Sequence, residues 1–248
     1  MPADVRVYPS TLALNHAVCD QIVEIAERAI TTRGRFTMAL SGGNTPKPIY
    51  EMLATRDYAD AINWTFTHIF WGDERCVPPT DHDSNYYMAR EVLLNRVRIP
   101  LGNLHRIHGE IEPQKAAELY EADLRDFFVK RLNSPRSRFD LILLGMGGDG
   151  HTASLFPGTP AIRETQKWVA AQHIEKLNAW RVTLTPAAIN AAAAVFFVVT
   201  GDDKTAMVKR VLHDPLNPNE LPSQVIKPTD GMLRWYLDQT AGKGIKAV

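Results

Sequence analysis

The stretch Gly145-Met146-Gly147-Gly148-Asp149-Gly150-His151-Thr152 sets a carboxylate and an imidazole two positions apart in a glycine-rich turn. Histidine is the side chain best matched to proton transfer near neutral pH. A neighbouring carboxylate can orient its ring or a substrate hydroxyl. Four glycines in six positions clear side chains from the backbone, so that it can close on a ligand. The apolar run 139–144 places this turn at the end of a buried strand. Open α/β sheets bind ligands at such carboxyl ends.

Ser41-Gly42-Gly43-Asn44-Thr45-Pro46 links a strand to a helix, and Ser41 and Thr45 add hydroxyls to its backbone amides. A loop of this kind at a helix N-terminus favours an anion, in this case a phosphate. Its spacing is neither that of the Walker loop nor that of the dinucleotide fingerprint. Lys204, just past Gly201, and Arg181, at the start of a short strand, are cations placed to complete a phosphate site. In Gly72-Asp73-Glu74-Arg75, Arg75 can meet a developing oxyanion and Asp73 can position it. No serine or cysteine lies in a nucleophile elbow, and no histidine pair has metal spacing, so neither metal nor cofactor is expected.

Short runs rich in Val, Ile and Phe alternate with amphipathic segments, the pattern of a mainly parallel sheet flanked by helices. Helices are expected over 12–30, from 46, from 84 to 94, over 113–132, from 186, from 204 to 212 and over 231–239. Strands are expected over 36–40, 64–71, 139–144, 168–173, 181–184 and 194–200. Segment 78–132 has no strong strand and is expected to form a small helical side lobe. No repeat or linker interrupts the chain, so residues 1–248 are expected to form one domain.

The chain is 45% hydrophobic and 23% charged, an ordinary globular composition. Its 28 basic and 28 acidic residues cancel, which leaves no electrostatic case for nucleic acid or an anionic membrane. An anionic ligand must therefore be met by local cations. Cys19 and Cys76 form no disulfide framework, residues 1–10 carry no signal pattern, and the longest apolar stretch is too short to span a bilayer. A cytoplasmic protein is expected, and its oligomeric state is left open.

Taken together, the motifs above, Trp71-Gly72-Asp73-Glu74-Arg75, Asp83-Ser84-Asn85-Tyr86, the run from Gly145 through Phe156-Pro157-Gly158, and Arg181-Val182-Thr183-Leu184-Thr185 resemble the glucosamine-6-phosphate isomerase/6-phosphogluconolactonase family. Their order is similar to that of its lactonases. The resemblance implies a modified Rossmann-like α/β fold and hydrolysis of 6-phosphoglucono-δ-lactone, the second step of the oxidative pentose phosphate pathway. It implies a general-base role for His151, with Asp149 touching the sugar or His151. Arg75 and Asp73 would line the lactone end. Ser41, Gly42, Gly43, Thr45, Arg181 and Lys204 would hold the phosphate. The family's deaminases look for a glutamate five residues after the motif histidine, whereas this chain has Phe156. A sugar-phosphate sensor on the same fold would carry a DNA-binding module, and no segment here is free to form one.

Overall fold

The structure, a computed structural model, describes residues 4–245. Seven parallel strands form the main sheet. Their order is β1 (Asp4–Tyr8), β10 (Met232–Asp238), β9 (Ala194–Val199), β6 (Leu141–Leu144), β2 (Phe36–Leu40), β3 (Thr67–Trp71) and β5 (Leu104–His105). Every residue of β2, β6 and β9 is buried, as a parallel sheet covered on both faces requires. Helix α1 (Thr11–Arg33) begins where the Ser10 hydroxyl accepts from the Ala13 amide and ends at Gly34 with φ 72°. Its stripe of Leu14, Val18, Ile22, Ile25 and Ala29 is buried in the core.

Strand order reverses between β2 and β6. The chain builds outward from β2 through β3 to β5, then returns to β6 and builds the other way through β9 to β10. The loops after β2 and β6 therefore diverge and leave a crevice above their carboxyl ends. At the end of β3 the Gly72 amide still donates to the Leu40 carbonyl (2.8 Å). The chain then leaves for a second sheet, where β4 (Asp73–Arg75) and β7 (Val169–Ile174) each pair antiparallel with β8 (Ala179–Leu184). This small sheet walls one side of the crevice.

The remaining helices are α2 (Lys47–Leu53), α3 (Arg56–Ala59), α4 (Asn85–Ala89), α5 (Pro113–Arg125), α6 (Pro186–Ile189) and α7 (Thr205–His213). Both α4 and α5 run on into a π-helical turn, which carries α5 to Arg131.

Three expectations need correction. Where a helix over 231–239 was expected, Met232–Asp238 form strand β10. It pairs with β1 and β9 at its two edges, and Arg234–Asp238 are buried without a break, so both faces are covered and its apolar residues need not alternate. Of its two buried charged residues, Arg234 is met by Asp4 Oδ2 at 2.6 Å and Gln21 Oε1 at 2.5 Å, and Asp238 accepts from the Ala241 amide at 2.8 Å. The expected strand over 64–71 begins as a 3-10 turn, because the Asn63 side chain accepts from the Thr65 amide. Segment 78–132 is not a side lobe. Phe127 and Phe128 pack against Phe70 of β3, and the Tyr120 hydroxyl donates to the Trp71 carbonyl (2.9 Å). The side layer is the antiparallel β4–β8–β7 sheet.

Candidate active site

A cleft of about 710 Å³ opens above the β2–β6 switch point, and all ten residues singled out in the sequence line it. The turn after β6 holds His151 by two contacts. Its Nδ1 lies 2.5 Å from Asp149 Oδ1, and its ring stacks on Phe156, centroids 4.0 Å apart. A carboxylate at Nδ1 selects the tautomer that leaves a lone pair on Nε2. Gly147 makes this packing feasible, since a Cβ there would sit 2.0 Å from His151 Nδ1. Burial, reinforced by the charges of Lys204, Arg181 and Arg75, outweighs the pull of Asp73 and brings the imidazole down to about 4. His151 is therefore neutral at physiological pH and able to take a proton.

In β4 the side chains alternate. Asp73 and Arg75 face the cleft, and Glu74 turns the other way. Asp73 is fixed by Ser154 Oγ, which donates to Oδ2 (2.7 Å), and by Asn85 Nδ2, which donates to Oδ1 (3.2 Å). Buried Glu74 accepts from the amides of Arg75, Asn85 and Tyr86 at 2.7–2.8 Å, and from the Ser84 hydroxyl at 3.1 Å. It thereby ties β4 to the N-terminus of α4. Desolvation lifts the Glu74 carboxyl to about 7 against these hydrogen bonds.

Arg181 stands opposite Arg75 in the β4–β8 register, so the two guanidiniums share one face. Their side-chain hydrogen bonds go to backbone carbonyls, of Asp83 for Arg75 and of Trp180 for Arg181. Desolvation, and then Arg75, pulls the Arg181 pKa down. Among the described residues neither guanidinium forms an ion pair, so the two like charges can together seat an anion. The sequence had grouped Arg181 with the phosphate contacts. Its charged neighbours are Arg75, Asp73 and Asp83, whereas Lys204 pairs with Asp203 at 2.9 Å.

The turn after β2 spans the floor of the cleft. The Ser41 amide and carbonyl are both bonded to the buried Tyr50 hydroxyl, at 3.0 and 2.9 Å, so Ser41 offers a ligand only its side chain. Thr45 Oγ1 lies 3.4 Å from Thr200 Oγ1 at the end of β9, and Lys204 follows Thr200 at the start of α7. The Lys204 ammonium reaches the turn after β6, where a Cβ on Gly148 would lie 3.6 Å from it, so Lys204, Arg75 and Arg181 all bring positive charge to the cleft around His151.

The family model described as glucosamine-6-phosphate isomerases/6-phosphogluconolactonase matches residues 9–235. The chain belongs to this family. Among family members, a 6-phosphogluconolactonase of Nostoc sp. is 42% identical over 246 residues, covering 98% of each chain. One from Synechocystis sp. is 40% identical, again covering 98% of each. The solved structure of 6-phosphogluconolactonase from Trypanosoma brucei superposes with a TM-score of 0.87 at 31% identity, covering 99% of each chain.

Three lining residues of this family member escaped the sequence reading. Asn85 was quoted only within the Asp83-Ser84-Asn85-Tyr86 motif, without a site role; the helix cap next to it is Ser84, whose hydroxyl accepts from the Tyr87 amide (3.1 Å). Ser154 lay inside the glycine–histidine motif without an assigned task. Lys176 had no local signal, because it arrives from the β7–β8 hairpin.

Proposed function

We propose that this protein hydrolyses 6-phosphoglucono-δ-lactone to 6-phosphogluconate, acting as one domain on a small diffusible substrate in the cytoplasm. That reaction is the second step of the oxidative pentose phosphate pathway. The names of the family relatives support the substrate. The observation that carries the chemistry is a neutral imidazole, oriented by a carboxylate, in a cleft lined by the cations Arg75, Arg181 and Lys204.

In this reading Gly42, Gly43, Thr45 and Lys204 bind the phosphate, and that remote binding energy positions the lactone carbonyl. His151 Nε2 takes a proton from water as its oxygen bonds to the carbonyl carbon. The oxyanion that forms is met by Arg75, with Arg181 beside it. Asp73 orients the reacting end. Collapse of the tetrahedral intermediate breaks the bond from carbon to ring oxygen, and the imidazolium returns its proton to that oxygen. The product carboxylic acid ionises, and the free carboxylate faces the arginine pair.

Phe156 separates this reading from deamination. It stacks on His151 and has no group that could relay a proton. Hydrolysis opens the ring as the acyl–oxygen bond breaks and needs no further relay.

The test is turnover of freshly generated 6-phosphoglucono-δ-lactone, corrected for uncatalysed hydrolysis, with His151→Ala alongside. Rapid turnover lost by a factor of about 10²–10⁴ in the variant supports the reading. Folded wild-type protein that gives no acceleration overturns it, and deamination of glucosamine 6-phosphate is then the next assay.

A further inference from the structure

The hairpin between β7 and β8 is tight. Ile174 and Ala179 are register partners, a 3-10 turn fills the gap, and Asn178 closes it at φ 44°. This turn brings Lys176 to the rim of the cleft, beyond the glycine turn that carries His151. The Lys176 ammonium contacts Asp149 Oδ2. The other oxygen of the same carboxylate, Oδ1, is the one at His151 Nδ1. The ammonium also lies 4.7 Å above the Phe156 ring, the ring on which His151 stacks. One lysine therefore touches both groups that hold the imidazole.

We propose that Lys176 is a positioning residue that fixes the Asp149–Phe156 frame around His151 and damps the negative charge Asp149 presents to the imidazole. The proposal rests on the reading of His151 as the base and deepens it. An undamped carboxylate at Nδ1 favours the imidazolium, which is the wrong state for a base. Lys176 offsets that attraction without occupying Nε2.

The other charges facing the ring are Asp73 and Arg75 from β4, Arg181 from β8, and Lys204 from the segment after β9. Those four lie on the inner walls of the cleft. Lys176 alone among these cations is bonded to the carboxylate that orients the ring.

The experiment is an NMR titration of the His151 imidazole in wild type, Lys176→Met, Lys176→Gln and Lys176→Arg, beside the pH–rate profile of lactone hydrolysis. Both neutral variants should raise the His151 pKa by about 0.5–1 unit, a modest shift because the ammonium is half exposed to solvent. The acid limb of kcat should move up by the same amount, and Lys176→Arg should restore the wild-type curve. Neutral variants that superimpose on wild type overturn the proposal, as does an arginine variant that behaves like methionine. The two readings fail separately. An active His151→Ala beside a shifted titration sinks the general base and leaves the effect of Lys176 on the imidazole standing. An inactive His151→Ala beside an unshifted titration does the reverse.

Discussion

The imidazole of His151 lies flat on the ring of Phe156, centroids 4.0 Å apart and planes inclined by 20°. This apolar cover, together with the cations around it, penalises the imidazolium and brings the pKa down from 6.5 to about 4. The imidazole is then neutral over the whole physiological range. Activity should be flat from about pH 8 down to about 5 and should fall about tenfold per unit once below the His151 pKa. Stability should follow the same sign. The unfolded chain takes up this proton first, so the contribution is present above 6.5 and is lost as pH falls towards 4. Thermal melts of His151→Asn against wild type between those limits should show a smaller pH dependence in the variant.

The proposed roles of Lys204 and Arg181 should separate in kinetics. On the proposed reading Lys204 holds the phosphate equally in ground and transition states, so Lys204→Ala should raise KM by about tenfold or more with kcat little changed. Arg181→Ala weakens the seat at the reacting end, so kcat should fall more than KM rises. Steady-state constants for the two variants check this. A shared KM effect would return Arg181 to the phosphate.

Gly42 and Asn85 compete for one volume. A Cβ on residue 42 would lie 1.7 Å from Asn85 Oδ1, and Asn85 cannot swing away without releasing Asp73, to which its amide donates at the backbone oxygen (2.8 Å). Gly42→Ala should therefore destabilise by about 1–3 kcal/mol and depress activity. Most of that stability loss should vanish in an Asn85→Ala background. A double-mutant cycle read by urea unfolding measures the coupling.

Glu74 joins β4 to α4 through three backbone amides and one hydroxyl. Glu74→Ala orphans those buried donors and should cost about 2–4 kcal/mol in chemical denaturation. Its carboxyl is raised to about 7 in the fold, so the protonated form is favoured. The stability this contributes is full below the unfolded value of about 4.5 and is lost as pH rises through 7. The variant should lack that decline.

Much of this molecule was legible locally. β2 and β9 are runs buried on both faces, and α1 carries a 3.6-residue stripe between a serine cap and a glycine stop, so period and punctuation identify them. The glycine turns at 41–46 and 145–150 marked strand ends because glycine clusters there have few structural uses. Residues 232–238 were not legible, since a strand covered on both faces loses the alternation that distinguishes it from a buried helix. The two-residue β5 is too short to carry any period.

Sequence alone determined the chemical inventory: an imidazole beside a carboxylate, a glycine turn able to hold a phosphate, and cations at strand ends, all ten of which line one cleft. Tertiary structure decided who stands beside whom. The β4–β8 register puts Arg181 against Arg75, 106 positions apart, and a distant hairpin delivers Lys176 to Asp149. Local period and composition act over a turn or two of chain. Register and hairpin placement depend on pairing and packing between segments far apart in sequence, where those local signals carry no information.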